Sequence, residues 1–139
     1  MIYEETKDQF LEAEILYLKV FVALHTGNKE LQDVYFSSML TNLKQAEEPL
    51  RMKYAFLIGV YYLNIQDFDR ASEYLMKALK IAENIDASKD EQAKIYMNLS
   101  TLYQQLGEMK IANNYIRKAI SIIDTVPSYY YLNLAATFQ

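Results

Sequence analysis

Asn98 and Asn133 are the side chains whose type and spacing best suit a chemical task. They hold the same place in two copies of one phrase, Tyr96-Met97-Asn98-Leu99-Ser100-Thr101-Leu102-Tyr103-Gln104 and Tyr131-Leu132-Asn133-Leu134-Ala135-Ala136-Thr137-Phe138-Gln139, 35 residues apart. A carboxamide donates and accepts hydrogen bonds at once, so a row of them can hold an extended peptide backbone whatever its side chains. Lys53 and Lys94 offer ammonium groups that suit a ligand carboxylate. Catalytic chemistry finds no such support. His25 is the sole histidine and has no suitable partner nearby in sequence, and cysteine is absent. No Gly-rich phosphate loop, nucleophile elbow or HExxH pair occurs. The expectation is a chain that is not an enzyme and that needs no metal or cofactor.

Composition sets the scale on which such a row can be built. The 139 residues suffice for one domain with a real core, with 52% apolar and 23% charged residues. Two prolines and three glycines are few over this length, which favours long helices over a turn-rich β fold. No apolar run approaches the roughly 18–20 residues of a membrane span, and the acidic start Met1-Ile2-Tyr3-Glu4-Glu5 has no signal-peptide layout. A net charge of −4 offers no electrostatic footprint for nucleic acid. The chain is therefore expected to be cytoplasmic, with neither membrane nor nucleic acid as a direct partner.

The elements follow from caps and breakers. Thr6-Lys7-Asp8-Gln9 has capping-box spacing and predicts a helix over 7–25, so dense in apolar residues that burial on more than one side is expected. Gly27-Asn28 ends it, and a second helix is predicted over 29–45. Glu47-Glu48-Pro49 opens a third over 49–65, where Gly59 signals the close approach of another helix. Gln66-Asp67 turns the chain into a fourth over 68–84. A second capping box, Ser88-Lys89-Asp90-Glu91, starts a fifth over 89–106; Gly107 then leads to a sixth over 109–125. Pro127-Ser128 begins a seventh that runs to Gln139.

A phrase recurring at such spacing is first read as a repeat array. Ala55, Ile58, Gly59, Tyr62, Phe68, Ala71, Leu75 and Ala78 carry the small and bulky positions of one helix pair. Tyr96, Leu99, Ser100, Tyr103, Gly107, Ala112, Ile116 and Ala119 repeat them, and Tyr131, Leu134, Ala135 and Phe138 begin them a third time. This pattern resembles the tetratricopeptide repeat. The resemblance implies an all-α, α-solenoid fold of antiparallel helix pairs with about seven helices. Its parts are a degenerate pair over 7–45, repeats over 52–85 and 93–126, and a half repeat over 128–139, taken as a single domain over 1–139. More distantly, the longer first spacing of 41 residues and the linker 85–90 resemble the arrays of Gram-positive peptide receptors. That group comprises quorum-sensing regulators and related aspartate phosphatases.

In such repeats the first helix of each pair lines a concave groove. The resemblance thus implies ligand contacts from Lys53, Phe56 and Val60 in one repeat. It implies Lys94, Met97, Asn98, Thr101 and Gln105 in the next, and Asn133 in the last. Neither good repeat carries the Lys and Asn pair of the chaperone-tail clamp. The expected function is non-catalytic peptide or protein binding, as the sensor part of a bacterial regulator. The alternative is a scaffold or assembly protein working through protein–protein contacts. An uncovered apolar side on residues 128–139 adds the expectation of a homodimer through that segment.

Overall fold

A computed structural model describes the backbone of residues 2–124 and the side chains of residues 8–123. Six helices fill this stretch: α1 (Ile2–His25), α2 (Lys29–Gln45), α3 (Leu50–Asn64), α4 (Phe68–Asn84), α5 (Lys89–Gln105) and α6 (Met109–Asp124). Among the described residues there is no strand. The predicted seventh helix, Asn133 and the homodimer contact over 128–139 lie outside the described residues.

The helices join in three hairpins, α1–α2, α3–α4 and α5–α6, through turns of three residues each. All three turns have one geometry. Their middle residues, Gly27, Gln66 and Gly107, take φ of 74°, 64° and 77°. In each, two reversed hydrogen bonds close the helix end: Asn28 N to Ala23 O at 2.9 Å, Asp67 N to Tyr62 O at 2.9 Å, and Glu108 N to Tyr103 O at 2.8 Å, each with a shorter loop beside it. This left-handed cap satisfies carbonyls that the helix leaves without partners. Asn28 and Asp67 then cap the next helices, accepting from Leu31 N and Arg70 N. The degenerate first pair is therefore a hairpin of the same construction as the other two.

Two predicted features of α1 differ. The Thr6 box does not start it, because the helix begins at Ile2. A capping box marks local hydrogen-bonding capacity only, and a good helix-forming stretch with Glu4 and Glu5 near its positive end extends through it. Nor is α1 buried on more than one side. Ala13, Val20 and Ala23 are buried, whereas Leu11, Ile15, Leu18, Phe21 and Val22 are exposed. Within the chain, α1 packs on α2 and α3.

The chain divides into two compact units, Met1–Ala87 and Ser88–Gln139. In the first, α3 packs against α1, α2 and α4. Gly59 sits directly under Leu75 of α4: a Cβ there would come within 2.8 Å of the Leu75 Cγ. Ala55, Ala71 and Ala78 are fully buried around this contact. Phe36, Tyr61, Tyr62 and Tyr74 form a continuous aromatic cluster from α2 to α4, stacked at Phe36–Tyr61 and Tyr62–Tyr74 and edge-on between Tyr61 and Tyr62, and the Gln32 amide donates to the Tyr61 hydroxyl at 2.7 Å. In the second unit, the Ser100 hydroxyl donates to the Ala112 carbonyl at 2.9 Å, which lets α5 and α6 approach over Ala93, Ala112 and Ala119. Tyr115 stacks between Tyr96 and Tyr103. Small residues thus make the close contacts and aromatic rings fill the space beside them, as the repeat pattern predicts.

Candidate functional site

In the first unit the expected ligand face of α3 is already occupied by α1. Lys53 is 2% exposed; its Nζ lies 2.9 Å from Glu14 Oε1 and over the rings of Phe10 and Phe56. Burying an ammonium demands a carboxylate and good geometry, and α1 supplies both. Phe56 is buried, and Val60 is partly exposed. At the end of the same face the Asn64 amide donates to the Tyr17 hydroxyl at 2.8 Å. Burial pushes the Tyr17 phenol above its ordinary pKa, and the bond from Asn64 offsets this in part. As placed, Lys53 binds α1 and Phe56 lies buried beneath its ammonium.

The second unit keeps a more open row. Lys94, Asn98, Thr101 and Gln105 recur every three or four residues along α5, so they share one stripe. Lys94, Asn98 and Thr101 are half-buried and Gln105 is exposed, while Met97 beside them is buried. The Lys94 ammonium lies 3.1 Å from Asp90 Oδ2. The Asn98 amide donates to the Lys94 carbonyl at 2.9 Å, and the Thr101 hydroxyl to the Met97 carbonyl at 3.1 Å. These bonds turn both side chains back along the helix and leave oxygen lone pairs available on each.

Three hairpins of like construction, two of them with small residues at matching close contacts, define a repeat. The tetratricopeptide repeat model matches residues 49–124, more than half of the chain. The chain belongs to the tetratricopeptide repeat family. The repeats expected over 52–85 and 93–126 overlap that match, and α1–α2 precede it. The anaphase-promoting complex subunit CDC16 of Saccharomyces cerevisiae is 36% identical over 55 residues, which is 40% of this chain and 6% of that protein. The chain thus spans a small fraction of the curated relative it matches. No solved structure matches.

Tetratricopeptide repeats are protein-interaction modules, so a protein partner is the coarse function of the chain. Among the described residues, no group of three or more His, Cys, Asp and Glu side chains could hold a metal ion. No described helix is long and apolar enough to cross a membrane. Sequence reasoning missed Glu14 and Tyr17 as the groups that occupy the α3 face. It also missed the exposed apolar side of α1. Only the apolar spacing on α1 could have signalled the latter.

Proposed function

We propose that this chain is a non-catalytic scaffold that holds a folded protein partner through the outer surfaces of its helix pairs. The observation that carries this reading is the internal use of the α3 face. Lys53 is committed to Glu14 and Asn64 to Tyr17, so the polar groups a threaded peptide would need there are engaged with α1. Large apolar side chains stand exposed on α1, α2 and α6 instead. The relative named as a subunit of a multi-protein complex is in keeping with an assembly role. The test is affinity capture from the source cell followed by cross-linking and mass spectrometry. Cross-links from a folded protein onto α1, α2 or α6 are expected. Capture of short peptides alone, released by substitutions at the α5 stripe, would refute the reading.

A second reading rests on that stripe. Lys94, Asn98, Thr101 and Gln105 present an ammonium, two carboxamides and a hydroxyl in one line on α5. This supports contact with an extended peptide, with Asn133 as a further member by the repeat pattern. A cytoplasmic peptide-sensing regulator would use the array in this way. Asn98→Ala combined with Asn133→Ala then abolishes peptide binding while leaving helix content unchanged. An unaltered affinity would exclude it.

A further inference from the structure

Directly opposite its buried side, α1 carries Leu11, Ile15, Leu18 and Val22, 54%, 44%, 56% and 57% exposed. Their spacing of four, three and four residues is the a/d seam of a heptad repeat, which faces a second helix rather than water. The stripe continues into a groove of about 310 Å³ between α1 and α2, lined by Leu18, Val22, Ala23, Leu31 and Tyr35. Leu31 and Val34 of α2 are themselves exposed beside it. A contiguous apolar face of this kind marks an interaction surface.

The charges along the seam say which partner fits. Set α1 antiparallel to a copy of itself about a two-fold axis between Ile15 and Leu18. Leu11 then meets the partner copy's Val22, and Ile15 meets its Leu18, so the apolar layers pair without a mismatch. On the α2 side, Glu12 comes opposite Lys19 of the other copy, and the symmetry repeats this pair. At the two ends Asp8 comes opposite His25. The His25 Nδ1 already lies 3.0 Å from the Phe21 carbonyl, which leaves Nε2 directed outward. In the parallel arrangement Glu12 and Lys19 would lie on opposite sides of the seam in the two copies, so these two groups could not pair with each other. A two-fold interface requires each patch to complement itself, and this one does so in both its apolar layers and its charges.

We propose that a second copy of this chain docks on α1 in antiparallel register through Leu11, Ile15, Leu18 and Val22, flanked by reciprocal Glu12–Lys19 pairs. With α2 on the side of those pairs, the two α1–α2 hairpins then form a four-helix contact. The proposal rests on the reading of the repeats as a protein-holding scaffold and names one occupant of that surface.

Sedimentation equilibrium over about 1 μM to 1 mM covers the affinity range of such a contact. Glu12→Lys and Lys19→Glu are exposed substitutions that leave the fold intact, as far-UV circular dichroism would verify. Each alone sets like charges opposite one another twice and is expected to weaken self-association by about tenfold or more. Mixing the two variants restores it, since every cross-copy pair is then opposite in sign. Leu18→Glu abolishes association. A chain that stays monomeric across the range overturns the proposal, as does a dimer indifferent to all three substitutions. So does a mixture that associates no better than its parts. The scaffold reading is judged separately, by whether such a monomer still cross-links to a folded partner.

Discussion

Gly59→Ala is a substitution that raises helix propensity and is nonetheless expected to destabilise. In an exposed helix interior the exchange is worth about 1 kcal/mol in favour of alanine. At Gly59 the new methyl would lie 2.8 Å from Leu75 Cγ, 2.9 Å from Cδ2 and 3.1 Å from the Leu75 backbone nitrogen. Carbon pairs are most comfortable at about 3.5–4.0 Å, so Leu75 must retreat by most of an ångström. Leu75 is fully buried, and the short distance to its backbone means that α4 itself has to shift. Overpacking of this kind costs about 1–3 kcal/mol. The balance is a net loss of about 1 kcal/mol, since the steric cost exceeds the propensity gain. Urea denaturation followed by circular dichroism reads it as a lower midpoint at unchanged slope. A double-mutant cycle sharpens the test. Leu75→Ala alone costs about 2–5 kcal/mol, but it removes the two side-chain atoms that the new methyl would strike. In that background only the 3.1 Å contact to the backbone nitrogen remains, so Gly59→Ala should cost less, a coupling of about 1–3 kcal/mol. A higher midpoint for Gly59→Ala in the parent chain, or strict additivity in the cycle, would refute the argument for a backbone-close α3–α4 contact.

Two further outcomes follow from other parts of the molecule. Gln66 holds φ of 64° in a turn whose counterparts are Gly27 and Gly107, so Gln66→Gly is expected to raise the urea midpoint. The gain is about 0.5–1 kcal/mol, the left-handed strain relieved less the added freedom of the unfolded chain. Alkali should act through tyrosine. Burial raises the pKa of Tyr17, Tyr54 and Tyr62 above the ordinary 10.0. A phenol raised in the folded state holds its proton where the unfolded chain has lost it. Its stabilising share is therefore complete below pH 10 and lost as pH rises through the folded value. Denaturation midpoints measured alongside phenolate absorbance should fall only above pH 10, and Tyr17→Phe should flatten that fall.

The parts of this molecule that were legible in its sequence are those decided by neighbours a few residues away. Gly27 and Gly107 mark two of the hairpin turns because only glycine takes their φ freely, and Ser88 caps α5 through Glu91 N as its capping box implies. Gly59, Ala71, Ser100 and Ala112 announce the close helix contacts because nothing larger fits them. Gln66 shows the limit of such local signals, since glutamine gives no hint that it will be held at positive φ. The occupant of the α3 face was not legible for a different reason. Helix register sets which way Lys53 and Asn64 point, but what meets them is chosen by Glu14 and Tyr17, on a helix whose match to the repeat pattern is poor. The same distance effect governs α1. Its dense apolar sequence implied burial on several sides, and apolar density does measure how much surface wants cover. It does not state which molecule provides that cover. Ala13 and Val20 find theirs within the chain, whereas Leu11, Ile15, Leu18 and Val22 do not. Their heptad spacing, with Glu12 and Lys19 alongside, is the one feature of α1 that distinguishes a partner helix from a core.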